Sequence, residues 1–379
     1  MLLPAIRHDL GGSYGLYGAI GAAHLGGYLA GTLCAPRILR SRAHVPAAIA
    51  LAHVVVAISL AASALAHGAL LLGAARVVLG VASGIGVAAV VTDTLERVLV
   101  ARRGFASAVA WSGAGVGLIV SAPAGAWSLG DASRWRVATL VGALAALLVV
   151  ALATRLRAHE VASVAAHGND TPFAWHDVLR TRNAFFVAAY AAFGVAYISY
   201  ATFSVAAFTA RGLSQSVITL VWSGLGAATI AGVFGVVPML HGKRARYAFV
   251  LPFVTGTIGC LIASLPGAIG PIAGSLCVGI GLSATPAVAS AFARMRSDAA
   301  TAAVAFTAVT TVFGIGQLLG PLASGLVADH VGLAAVPLFA AAVFAAGAVS
   351  AGIDARLAVP ATRPRTGGEE MRSQRGWRK

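Results

Sequence analysis

Arg76 lies well inside an apolar run that opens at Ala69, and no other charged side chain sits so deep in such a run. Holding a guanidinium among apolar side chains costs at least about 2.5–3.5 kcal/mol on insertion scales, so Arg76 must face neighbouring helices and be hydrogen-bonded there. It either fixes a bundle through backbone carbonyls or receives an anion. His24, in another run, is of the type that could titrate near neutral pH and relay a proton, although a hydrogen-bonded structural histidine is the plainer reading. Trp111, Tyr190, Tyr197, Tyr200, Trp222 and Gln317 are of the types that line a solute site, which is mostly apolar with a few placed polar groups. Trp and Tyr also gather as anchors at membrane surfaces, so some of these belong there instead.

Other chemistry is missing. All 12 Asp and Glu fall in loops, tails or run ends, which leaves no carboxylate in the middle of a run to carry a proton. Cys34, Cys260 and Cys277 have no metal-ligand spacing and read as small buried residues. The chain has no GxSxG, HExxH or GxxxxGK[ST], and its glycine-rich stretches lack the preceding strand of a dinucleotide site. The expectation is a protein that is not an enzyme and that holds no cofactor and no metal.

The elements that must position these residues follow from composition. Hydrophobic residues make up 59% of the 379, charged residues only 10%, and mean hydropathy is +0.86, where about 25% charge is usual for a soluble domain. The solvent for most of this chain is therefore lipid. Apolar runs long enough to cross roughly 30 Å of hydrocarbon occupy 14–35, 46–66, 69–91, 105–127, 136–154, 184–208, 214–240, 247–265, 269–292, 300–327 and 332–353, eleven in all. The period-two alternation of a barrel is absent. A formal charge of +15 does not mark a nucleic-acid binder, because the basic residues sit in the breaks between runs rather than in one patch.

Those breaks set the orientation. Alternate breaks plus the carboxyl-terminal tail hold 22 Lys and Arg, while the other set holds Arg7, Arg134, Arg136 and Arg211. Basic loops are retained on the cytoplasmic side, so the 155–182 break and the carboxyl end are expected inside and Met1 outside. The expected organisation is an amino-terminal bundle over 1–154, a cytoplasmic linker over 155–183 with a short interfacial helix near Trp175, a second bundle over 184–353, and a basic, disordered tail over 354–379. The first ten residues are too short and polar to span, and they lack the pattern of a signal peptide.

An internal repeat links the two bundles. Gly31-Thr32-Leu33-Cys34-Ala35-Pro36-Arg37 passes into a basic turn as Gly235-Val236-Val237-Pro238-Met239-Leu240-His241 does six runs later. The run with Gly113, Gly115, Gly117, Pro123 and Gly125 is echoed by the one with Gly314, Gly316, Gly320, Pro321 and Gly325. Transporter halves are often related in this way.

On these features the chain resembles the major facilitator superfamily along almost its whole length. The loop motif after family helix two survives in Gly31, Leu33 and Arg40, with Arg37 beside it, although Ala35 stands where the family usually has Asp. Arg76-Val77-Val78-Leu79-Gly80-Val81-Ala82-Ser83 resembles the fourth-helix motif, and 320–329 the end of helix eleven. Leu3-Pro4 and Gly27-Tyr28-Leu29-Ala30-Gly31 are similar to the YbfB/YjiJ-type transporters.

The resemblance implies an all-α fold of two pseudo-symmetric bundles, eleven spans of an expected twelve, with most of helix one missing through a late start assignment or a truncation. It also implies a monomeric bacterial inner-membrane transporter of a small organic solute working by alternating access, with protons as coupling ion and export ahead of import. Arg76 and the lack of interior acids suggest an organic anion. Gly27, Gly31, Gly80, Gly113, Gly117, Gly316, Gly320 and Pro321 would pack or gate the helices that rock. The competing readings are a transport-inactive truncated copy or a membrane sensor derived from a transporter. A lipid-modifying membrane enzyme would need a polar cluster at one interface, and the sequence provides none.

Overall fold

The computed structural model describes residues 1–39, 45–96, 98–99, 102–156, 183–240, 245–296 and 302–357. The described residues are helical and include no strand. In lipid every backbone N–H and C=O must be satisfied within the segment, and a helix does this. The elements are α1 (Leu3–Leu10), α2 (Tyr14–Ile38), α3 (Val45–Ala64), α4 (Ala69–Glu96), α5 (Arg103–Trp127) and α6 (Arg134–Leu156), followed by α7 (Ala184–Ala210), α8 (Gln215–Val236), α9 (Leu251–Ala263), α10 (Ile269–Leu282), α11 (Ala284–Met295), α12 (Ala302–His330) and α13 (Ala335–Leu357). The expected linker and tail, and Arg40, fall outside the described residues.

Nine stretches of helix, rather than eleven, are long and apolar enough to cross a membrane among the described residues. One joins α10 and α11 across a break at Ser283, as Ile269–Phe292. The two that fall short do so for different reasons. α2 has 25 residues, but its glycines, tyrosines and histidine dilute its hydropathy. α9 has 13 residues, which at 1.5 Å each cover about 20 Å; a single helical turn, Ala245–Ala248, precedes it.

The helices form two sets packed in the same pattern. In the first, α2 packs on α4, α3 on α4 and α3 on α6; in the second, α8 packs on α10, α9 on α10 and α9 on α13. The sets meet along α2 with α12 and along α5 with α8, two contacts that the same correspondence exchanges. One part of the pattern is unmatched. α7 packs against both α12 and α13, whereas among the described residues no long helix lies at the equivalent place beside α5 and α6. Consequently Gly316 and Gly320 of α12 are covered by α7, while a Cβ added at Gly113 or Gly117 of α5 would meet no atom of the described residues within 4 Å.

One end of the bundle carries Arg37, Arg155, Arg296 and Arg356 and is called the basic end below. The four arginines at the opposite end are all engaged. Arg136 donates to the carbonyls of Ala64 and Ala66 at 2.7 and 2.8 Å, closing the end of α3, and Arg211 donates to Ala263 and Leu265 at the end of α9. Cations there satisfy the last carbonyls and complement the helix dipole. Arg7 lies 4.0 Å from the Tyr14 ring centroid and Arg134 5.0 Å from that of Trp127. Asp9 ties α1 to α6, accepting from Trp135 and Arg136 at 2.9 Å each. In the loop before α6, hydrogen bonds from the Ser133 N–H and hydroxyl hold the Asp131 carboxyl below the usual carboxylate range.

Between α1 and α2 the chain turns through Gly11 and Gly12, at φ 69° and 96°, a conformation glycine adopts without strain. α2 then starts at Ser13, whose hydroxyl accepts from the Leu16 N–H at 3.1 Å. Its first turn is held by the other set of helices. Asp329 of α12 accepts from the Tyr14 and Gly15 N–H groups at 2.8 and 2.7 Å.

Candidate functional site

Four of the residues singled out from the sequence, His24, Arg76, Tyr197 and Gln317, fall into two pairs on either side of the meeting of the two sets. α2 and α4 approach closely because Gly27 and Gly31 lie against the carbonyls of Val77 and Val81, while Gly80 lies against that of His24. Small residues let backbones approach in lipid, where no hydrophobic drive presses helix on helix. The approach brings the His24 imidazole Nδ1 to 3.0 Å from the Arg76 carbonyl. Both side chains are half-buried. The Arg76 guanidinium has no hydrogen bond or ion pair with the described residues.

The second pair spans α7 and α12, held close by Gly194 and Gly316, each against backbone of the other helix. Gln317 donates through Nε2 to the Tyr197 hydroxyl. The Tyr197 ring stacks on Phe313 at 5.9 Å with 9° between planes, and Tyr190 stacks on the same ring at 4.5 Å and 9°. Three rings from two helices thus share nearly one orientation. Tyr28 of α2 is half-buried, and its neighbour Leu29 lies against Gly314 of α12, which joins the two pairs across the junction. His24 and Tyr28 are one helical turn apart, so the whole group occupies the middle of α2, α7 and α12.

Other expected residues lie elsewhere. The Tyr200 side chain is 1% exposed, and its hydroxyl is hydrogen-bonded to Ser275 at 2.7 Å. Trp222 is buried in the core of the second set, and Trp111 is half-buried on α5. Pro321 of α12 lies against Gly18 and Gly21 of α2, and Arg37 is exposed at the basic end.

Sequence reasoning missed Tyr28 and Phe313. Tyr28 sits inside the quoted run Gly27 to Gly31, where a tyrosine between two packing glycines was the available signal; Phe313 is one apolar residue in an apolar run and offered none. It also missed the ion pair of Arg296 with Asp354, two parallel bonds of 2.8 and 2.6 Å. The guanidinium of that pair lies 4.9 Å from the Phe186 centroid and 5.2 Å from that of Phe292. Among the described residues no group of three or more His, Cys, Asp or Glu is placed to hold a metal.

A family model described as the uncharacterised MFS-type transporter YbfB matches residues 1–353. No curated protein matches the chain. Among 203 solved chains that do match its fold is a crystal structure of the nucleoside transporter NupG. That structure is 13% identical with a TM-score of 0.71, covering 93% of this chain and 94% of its own.

Proposed function

Because the chain belongs to the family of the MFS-type transporter YbfB, we propose that it is a secondary transporter that moves a small organic solute by alternating access. The observation that carries this reading is a polar group, with Arg76, His24, Tyr28 and Tyr197 half-buried and Gln317 buried, at the junction of two symmetrically packed sets of helices. Sites of such transporters lie near the midplane, where the halves meet and rock. The smooth glycine contacts of α2 with α12 and of α5 with α8 suit sliding.

The basic end is cytoplasmic in this reading, in keeping with the excess of arginine in its loops. Cross-contacts of α2 with α12 run from Gly15 beside Asp329 to Leu29 beside Gly314, which favours a form closed on the outer side. Coupling is to protons, with His24 as the group that takes one up, and the direction is export. The test is reconstitution in liposomes with an imposed pH gradient, reading solute exchange and internal pH over a panel of anionic, neutral and cationic organic solutes. Exchange of one class, driven by the gradient, is expected; His24→Gln retains exchange and loses the drive. A panel that yields no exchange overturns the transport reading. That result would favour the second reading, a transport-inactive relative.

A further inference from the structure

We infer that α11 is a hinged lid over the basic end, and that the ion pair of Arg296 with Asp354 is the latch that holds it closed. This rests on the alternating-access reading and names a part that moves and the contact that controls it.

The hinge follows from the local sequence. Pro286 has no N–H to offer the Leu282 carbonyl, and the next bond along, from the Ala287 N–H to the Ser283 carbonyl, is stretched to 3.4 Å. The span breaks at this place, at Ser283 between α10 and α11. The Thr285 hydroxyl donates to the Gly281 carbonyl at 2.8 Å, as Ser and Thr side chains do where proline interrupts a membrane helix. A few residues at the end of an element are enough to absorb the rotation of a hinge.

The segments on either side of the break are held differently. α10 is interlocked backbone to backbone: Gly279 lies against the Leu225 carbonyl, Gly232 of α8 against that of Ile280, and Gly274 against that of Gly259. α11 has no glycine and is held by side chains. Val288, Ala289 and Phe292 are buried, and the Phe292 ring lies 6.1 Å from that of Phe186 and 5.8 Å from that of Phe249. Just past its end, Arg296 is fastened to Asp354 of α13 by two parallel bonds of 2.8 and 2.6 Å. α13 is itself tied to α7, where Ser350 donates to the Phe185 carbonyl at 3.0 Å.

Position makes this segment a lid. α11 forms the basic half of its span and packs against α8 and α12 of the second set and against α5 of the first. A swing about Ser283 therefore parts α11 from α5 at the basic end while α10 stays in place. A bidentate ion pair suits a latch, because it is strong only while the fork is closed and contributes little once water enters.

The test uses the detergent-purified full chain with Ala289→Cys as a reporter on α11, and the native Cys277 on α10 and Cys260 on α9 as internal references. Labelling by a water-soluble maleimide is read residue by residue by mass spectrometry. Arg296→Gln with Asp354→Asn removes both charges together, so that neither is left buried alone. This pair of changes should speed labelling at position 289 by at least about tenfold and leave Cys277 and Cys260 as they were. Adding Pro286→Ala, which restores the missing N–H and makes the span continuous, should return the slow rate. Thermal unfolding of each variant checks its fold, and Arg296→Lys, which keeps the charge without the fork, serves if the double variant does not fold. Unchanged labelling at 289, equal acceleration at Cys277, or acceleration that persists with Pro286→Ala overturns the inference. Flux in liposomes separates the two claims: solute exchange with a reporter that never responds overturns only the lid, and a reporter that responds as expected in a chain without any flux overturns only transport.

Discussion

At the scale of single residues, the pair of Arg296 and Asp354 is the most consequential contact for stability. Asp354 is 4% exposed, and the two chelating bonds join the end of α11 to α13 beneath Phe186 and Phe292. Removing one partner leaves the other buried without a counter-charge, which costs about 3–5 kcal/mol, whereas replacing both with apolar residues of similar volume is often close to neutral. Asp354→Ala is therefore expected to lower stability strongly in a denaturation titration in detergent, and Arg296→Met with Asp354→Leu to recover most of the loss. A single variant with native stability would show that the contact contributes nothing. His24 presents the contrasting case at this scale. Its bond to the Arg76 carbonyl at 3.0 Å is worth about 0.5–1.5 kcal/mol, so His24→Gln should fold, which makes its effect on coupling readable.

At the scale of elements, the glycines separate into two groups that the sequence could not distinguish. A methyl group at Gly80 would overlap the His24 carbonyl, and one at Gly232 the Ile280 carbonyl, with backbone on both sides unable to yield. Gly80→Val and Gly232→Val should each destabilise by about 1–3 kcal/mol or more, the usual cost of overpacking. Gly113→Ala and Gly117→Ala meet open space, and the better helix propensity of alanine should leave stability unchanged or raised by up to about 1 kcal/mol. Melting temperatures of the four variants decide the matter, and similar losses in all four would place a neighbour on α5. The cap that Asp329 provides to α2 joins the two sets of helices at one end. Because Asp329 is exposed, Asp329→Ala should cost only about 0.5–1 kcal/mol. If outward opening breaks this contact, the same change should raise labelling of a cysteine introduced at the buried Ala22, read with an impermeant maleimide; unchanged labelling would remove Asp329 from the gate.

At the scale of the whole molecule, sidedness is the property that the fold leaves to loop charge. Fusion of a fluorescent protein to the carboxyl end should fluoresce, and fusion of alkaline phosphatase there should stay inactive, because the basic end is proposed to face the cytoplasm. A cysteine at Asp131, in the exposed loop before α6, should react with an impermeant maleimide on intact cells. The reverse pattern would invert the molecule. The four arginines at the opposite end do not weaken this expectation, since each is held by carbonyls, a carboxylate or an aromatic ring.

Much of this was determined by the sequence alone. The apolar runs required helices, because lipid offers no partner for an open backbone, and the glycine patterns six runs apart required two related sets. Arg76 was conspicuous because charge is rare in such runs, and His24, Tyr197 and Gln317 because polar groups are. What the sequence left open was which of these come together. Spacing along one helix fixes a face, while the choice of neighbour depends on contacts between residues hundreds of positions apart, as in Gln317 with Tyr197 or Asp329 with Tyr14. Tertiary packing therefore placed Tyr28 and Phe313 with the polar group, sent Tyr200 into the core, and separated the buried glycines of α4 and α12 from the bare ones of α5. Among the described residues it also gave nine spans of sufficient length and hydropathy rather than eleven, and one of the two shortfalls, the 13-residue α9, comes from a helix end that hydropathy does not record.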